Sequence, residues 1–145
     1  MIFLKTDVDI LNKMYRIVEM GIIGILEVVK KVEDSCLEKL MLDQKKDYMV
    51  VKKDIRDLLD EYEEDPKKIG GMTRVSNDIY TNIKLMGEED DKVISKMMLE
   101  GTNKGVIEVT AILNDKKYNN EKISDIAEHL LKVLEYNGRE LKKYL

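Results

Sequence analysis

Residues 8–32 read VDILNKMYRIVEMGIIGILEVVKKV, and this stretch decides the fold. Val8, Leu11, Tyr15, Val18, Ile22, Ile25, Val29 and Val32 recur at alternating spacings of three and four, which is an unbroken helical seam. Ile10, Met14, Ile17, Leu26 and Val28 widen the apolar stripe, so two neighbouring helices are expected to cover it. Thr6 with Asp9 has the spacing of a capping box. The first helix is therefore expected over residues 7–32.

The same period returns three times. Leu37, Met41, Gln44, Tyr48, Val51, Ile55, Leu58 and Tyr62 form a second seam, with Gln44 its one polar aliphatic member. Ser35 and Glu38 form a capping box in front of it, and the acidic run 61–65 leads into Pro66, which ends it. The expected helix is 36–62. Ile94, Met98, Gly101, Gly105, Glu108 and Ile112 define a third seam over 88–114, opened by four acidic residues that suit the positive end of a helix dipole. Ile123, Ile126, Leu130, Val133 or Leu134, Asn137, Leu141 and Tyr144 define a fourth over 121–144, with Asn120 as its cap.

Between the second and third helices lie some two dozen residues broken by Gly70-Gly71, with room for a short helix over 73–86 between Thr73 and Gly87. The other two connections are short and make antiparallel hairpins. A helix of about 27 residues is ~40 Å long, and the middle segment can run back along that length. The expected fold is all-α: a single ferritin-like four-helix bundle over 1–145, two antiparallel helical hairpins joined by a long crossover that contains the short helix.

Composition agrees and narrows the function. Apolar residues make up 43% and charged residues 37%, with one proline and no tryptophan, as in long amphipathic helices with solvated outer faces. Net charge is −4 with both signs interspersed, so no basic stripe offers itself to nucleic acid. No apolar run reaches the length of a membrane span. The N-terminus lacks the basic start and apolar stretch of a signal peptide, and a cytoplasmic location is expected. Cys36 is the one cysteine and reads as a small apolar residue at a helix start.

A di-metal site in such a bundle needs Glu from two helices and Glu-x-x-His from the other two. The chain has one histidine, His129, with Ile126 rather than Glu three residues before it. No cofactor and no metal are expected; the nearest set for a residual metal site is Glu27, Glu100, Glu108 and His129. Glu108 is expected to reach a cation at the core edge. Gln44 and Asn137 each lie about eight residues from the same end of their helices, so a buried amide pair, near Ile25 and Met97 or Met98, is expected to set register. Gly21, Gly24, Gly101 and Gly105 each cost a helix interior ~1 kcal/mol, and close packing of another backbone is the expected compensation; space for a ligand or partner helix is the alternative. The nine methionines read as core filler rather than an adaptable groove.

Three stretches carry a family resemblance: Leu11-Asn12-Lys13-Met14-Tyr15 with Met20-Gly21-Ile22 and Lys31-Val32-Glu33-Asp34; Met97-Met98-Leu99-Glu100-Gly101-Thr102-Asn103-Lys104-Gly105-Val106-Ile107; and Leu130-Leu131 through Glu140-Leu141-Lys142-Lys143-Tyr144-Leu145. Over nearly its whole length the chain resembles an uncharacterised family of small clostridial and related Firmicutes proteins, a ligand-poor branch of the ferritin-like bundles. The resemblance implies a bacterial protein with that fold and carries no activity with it. In metal-binding relatives of this build a Glu follows the glycine of the third helix, where this chain has Thr102. The two Glu-x-x-His motifs would fall near Gln44-x-x-Asp47 and Leu134-x-x-Asn137.

No nucleophile–base pair is readable, so catalysis is not expected. The expected function is a non-catalytic helical module acting through protein binding or self-association as a homo-oligomer. Two alternatives are a residual metal-binding protein and a histidine phosphotransfer module. The latter rests on His129-Leu130-Leu131-Lys132, with Val133 where a glycine belongs.

Overall fold

The computed structural model describes residues 2–67 and 90–145. Within them the chain forms four long helices and no strand. The first, α1, spans Ile2–Val28 and tightens into one 3₁₀ turn over Val29–Lys31; α2 spans Ser35–Glu61, α3 Asp90–Asp115 and α4 Glu121–Lys142. The expected short helix over 73–86, with Gly70-Gly71 and Gly87, lies outside the described residues, as does the expected start of the third helix at 88.

Two helix starts differ from expectation. Thr6 lies inside α1 instead of capping it, because residues 2–5 contain neither glycine nor proline and the helix runs on through them. At α2 the cap is Asp34 rather than Ser35. Its backbone is extended, and its carboxylate accepts hydrogen bonds from the amides of Cys36 and Leu37 at 2.7 and 3.1 Å. An ionised acceptor one residue earlier outcompetes the serine hydroxyl. Asn120 caps α4 by accepting from the Lys122 amide at 2.9 Å. The far end of α2 closes as a Schellman turn: the amides of Glu63 and Glu64 donate to the carbonyls of Asp60 and Leu59, with Glu63 at φ 59°.

Packing is uneven around the bundle. The pairs α3–α4, α1–α2 and α2–α4 adjoin extensively, whereas α1 and α3 meet along far less of their length. The α2 seam is buried from Leu37 through Leu58, as its sequence pattern implies. On α1 the deepest line is Leu11, Met14, Val18, Ile25, Val28 and Val32, so Met14 and Val28 replace Tyr15 and Val29, which are half-buried. The one-residue rotation places Gly21 in this line, where the buried ring of Tyr48 from α2 presses: a Cβ at Gly21 would lie 2.8 Å from Tyr48 Cε2. On α3 the buried line is Ile94, Ser95, Leu99, Thr102, Gly105, Val109 and Ile112; Gly101 and Glu108 are exposed. The expected α3 seam was therefore turned partly outward. Its Met, Gly and Thr positions differ too little in hydropathy for periodicity to choose between adjacent lines.

Polar ties fix both ends. Asp7 is 2% exposed, and its carboxylate accepts from the Tyr62 hydroxyl and the Asn119 amide, each at 2.7 Å. This gathers the α1 start, the α2 end and the α3–α4 connection, with Lys122 and Glu61 paired nearby at 3.0 Å. At the other end the Asp91 carboxylate accepts from the amides of Glu33 and Asp34 at 2.9 and 2.8 Å, joining the α3 start to the α1–α2 turn. Between the ends, Lys52 of α2 reaches Glu19 of α1 at 2.6 Å.

Candidate functional site

Where α1 and α3 diverge, a cleft of about 510 Å³ opens. Gly21 and Gly24 of α1 and Gly101 and Gly105 of α3 all line it. Each was expected to admit another backbone. At Gly101 no described residue meets it, because a Cβ there would have none of their atoms within 4 Å. At Gly21 and Gly105 the neighbours are side chains, not backbone: the Tyr48 ring at the first, and Ile17 and Leu134 methyl carbons at 3.3 Å at the second. Gly24 is buried. Removing four side chains from two facing helices leaves room that the described residues do not fill.

The wall chemistry is graded along the cleft. Met20, Met97, Met98, Ile17 and Ile112 supply apolar, adaptable surface. Tyr48, Thr102 and Leu134 line its inner side. Toward the Asp7 end the lining carries the exposed charges of Lys13 and Arg16 on α1 and of Glu108 and Asp115 on α3, while Lys104 stands beside Gly105 at mid-cleft. The charges of this mouth nearly balance.

Behind the inner side lies a buried polar group of residues. Thr102 donates from Oγ1 to the Met98 carbonyl at 2.7 Å. The Tyr48 hydroxyl, its pKa raised by burial, lies close enough to Asn137 and Thr102 for both to pull in the opposite direction. Asn137 is fully buried, and beyond this approach of the Tyr48 hydroxyl its Nδ2 and Oδ1 make no well-aligned hydrogen bond among the described residues; Gln44 Nε2 and Ser95 Oγ make none either. A carboxamide buried without partners costs ~1–3 kcal/mol.

Comparison with known protein families, with curated proteins and with solved structures finds no match.

The positions singled out in the sequence distribute as follows. Gln44 and Asn137 are both buried, but they do not hydrogen-bond to each other. Tyr48, one turn beyond Gln44 and seated in the Gly21 notch, brings its hydroxyl to Asn137 instead. Glu100, Glu108 and His129 are exposed and Glu27 is half-buried. Among the described residues no three His, Cys, Asp or Glu side chains converge to hold a metal. The donors that do converge, a carboxamide and two hydroxyls, are neutral and fit poorly the carboxylate–imidazole set of a di-metal centre. Glu108 makes no ion pair among those found in the described residues and stands at the cleft. Cys36 is exposed in the first turn of α2. No described helix is long and apolar enough to cross a membrane.

Sequence reasoning missed Tyr48 and Thr102. Tyr48 is the one aromatic in the middle of the α2 seam and packs on Gly21 of the preceding helix, and that pairing of a large ring with an absent side chain was the available signal.

Proposed function

We propose that this chain is a non-catalytic, ferritin-like helical module that works by binding, with the α1–α3 cleft as its site and a small, largely apolar molecule as its ligand. One observation carries the reading. Gly101 sits in mid-helix, where alanine would be favoured by ~1 kcal/mol, and none of the described residues comes within 4 Å of where its Cβ would be. That space belongs to a cleft whose volume falls within the range of small-molecule pockets.

The ferritin-like topology is supported by the end contacts. The ties at Asp7 and Asp91 bring the α2 end near the α3–α4 connection and the α3 start to the α1–α2 turn, which fits two hairpins with α2 and α3 running in the same direction. A protein partner or a second copy of the chain has less behind it. The exposed large apolar side chains Leu26, Met49, Val50, Ile107 and Tyr136 are scattered over all four helices rather than gathered on one face.

Titration with a neutral, solvatochromic naphthyl ketone tests the reading. The folded wild-type chain is expected to bind it saturably with a blue-shifted emission. Gly101→Phe, which projects a ring into the cleft from a position free of contacts, is expected to abolish that binding while leaving the helical circular dichroism unchanged. Absence of saturable binding, or equal binding by the variant, would overturn the proposal.

A further inference from the structure

We infer that the cleft takes a single-chain amphiphile with a zwitterionic head, its chain lying along Met20, Met97 and Met98 and its head bridging a basic and an acidic wall at the mouth. The inference rests on the cleft being the binding site and adds which ligand chemistry it selects.

The two walls run antiparallel, since the α3 start is tied to the α1–α2 turn and the α3–α4 connection to Asp7. Their register is set where a Cβ on Gly105 would lie 3.3 Å from Ile17 Cγ2. Toward the Asp7 end from that contact, Lys13 is four residues along α1, Arg16 one, and Glu108 three along α3. At about 1.5 Å per residue, Glu108 lies within ~3 Å of the level of both cations, and Asp115 ~9 Å nearer the Asp7 end than Lys13. All four side chains line the cleft and are exposed, and none makes an ion pair among those found in the described residues. Opposite charges at one level stay apart because α1 and α3 diverge around the cleft. Lys104 stands a turn further in, beside Gly105, so the acidic face of α3 is confined to the mouth.

That arrangement favours one class of head group. An anionic head beside Lys13 and Arg16 would also face Glu108, and a cationic head beside Glu108 would face the two cations. Each loses on one wall part of what it gains on the other. A head carrying both signs, turned across the gap, is attracted by both walls. An ammonium carboxylate of the betaine class holds its two charges only a few atoms apart and suits a mouth that stays hydrated. Further in, α1 continues on the same face through Ile17, Met20 and Gly21, and α3 through Gly101 and Met98. An alkyl chain leaving the head therefore meets apolar, adaptable surface. The cleft volume of about 510 Å³ suits one such chain.

The experiment compares three molecules of matched chain length, N-decyl-N,N-dimethylglycine, decanoate and decyltrimethylammonium, as competitors of the naphthyl ketone on the full chain. Each is used below its critical micelle concentration and at low salt. The betaine is expected to compete about threefold better than either singly charged molecule, as an exposed ion pair would give, and to lose that lead in high salt. Lys13→Glu with Arg16→Glu makes both walls of the mouth acidic and is expected to make decyltrimethylammonium the best competitor. Glu108→Lys with Asp115→Lys makes both basic and is expected to make decanoate the best. All four positions are exposed, so both double variants are expected to keep the helical circular dichroism and the probe binding of the wild type. Equal competition by the three heads, a singly charged molecule as the best competitor of the wild type, or a betaine lead that survives both double variants overturns the head-group inference while leaving the cleft as the site. Equal probe binding by wild type and Gly101→Phe overturns both, and would be the outcome if another part of this chain filled the cleft.

Discussion

Alanine substitutions at Gly101 and Gly21 should move stability in opposite directions, although both glycines sit inside long helices. Alanine is favoured over glycine by ~1 kcal/mol in a helix interior, through the backbone entropy of the unfolded chain and the hydration of exposed backbone. At Gly101 nothing among the described residues opposes that gain, because the residue is exposed and its new methyl would touch none of their atoms within 4 Å. Gly101→Ala should therefore stabilise by ~1 kcal/mol and raise Tm by about 2–4 °C for a chain of this size. At Gly21 the same methyl would lie 2.8, 3.1 and 3.2 Å from Cε2, Cζ and Cδ2 of Tyr48. That ring is rigid and buried, and the contacted atoms are ring carbons rather than the end of a flexible chain, so relief requires the whole ring to shift. Overpacking of this kind costs ~1–3 kcal/mol, which cancels or exceeds the propensity gain. Gly105→Ala should fall between them, since its three 3.3 Å contacts are to methyl carbons that can give by a few tenths of an ångström. Urea denaturation followed by far-ultraviolet circular dichroism measures all three, with unchanged m-values confirming that the native state is the same. A destabilised Gly101→Ala, or a Gly21→Ala as stable as Gly101→Ala, would refute the assignment of one glycine to open space and the other to a ring.

Four further outcomes follow from the same contacts. Asp34→Ala should cost ~1 kcal/mol or more in urea denaturation while Ser35→Ala costs close to nothing, because the aspartate is the cap; the reverse order would return the cap to the serine. Asp7→Ala removes the acceptor for Tyr62 and Asn119 in a buried place and should cost ~2–3 kcal/mol, with faster amide hydrogen exchange at the α1 start and the α3–α4 connection as its local signature. Glu63→Gly should stabilise by up to ~1 kcal/mol, since a residue with a Cβ holds the left-handed position of the turn after α2. Burial raises the pKa of Tyr48, so stability should be intact below the ordinary tyrosine value of about 10 and fall as pH rises from there through the folded value, the unfolded chain losing its proton first. Denaturation midpoints across the alkaline range should show a shallower fall in Tyr48→Phe than in wild type.

The sequence by itself determined the secondary structure and most of the core. Heptad spacing is a local property, and a helix with one apolar stripe has one way to hide it; hence the α2 line from Leu37 to Leu58 and the α4 line through Ile123, Leu130, Asn137 and Leu141 could be read directly. The burial of Gln44 and Asn137 was legible for the same reason. Tertiary structure decided what the pattern left degenerate. On α1 and α3 two adjacent lines are nearly equal in hydropathy, and the choice of Met14 over Tyr15 and of Thr102 over Gly101 was made by the neighbours each helix meets. It also decided what the glycines are for. A missing side chain looks the same in sequence when a ring fills its place, as at Gly21, and when a cleft opens there, as at Gly101. The two differ only in what stands opposite on another helix, and no local spacing encodes that distance.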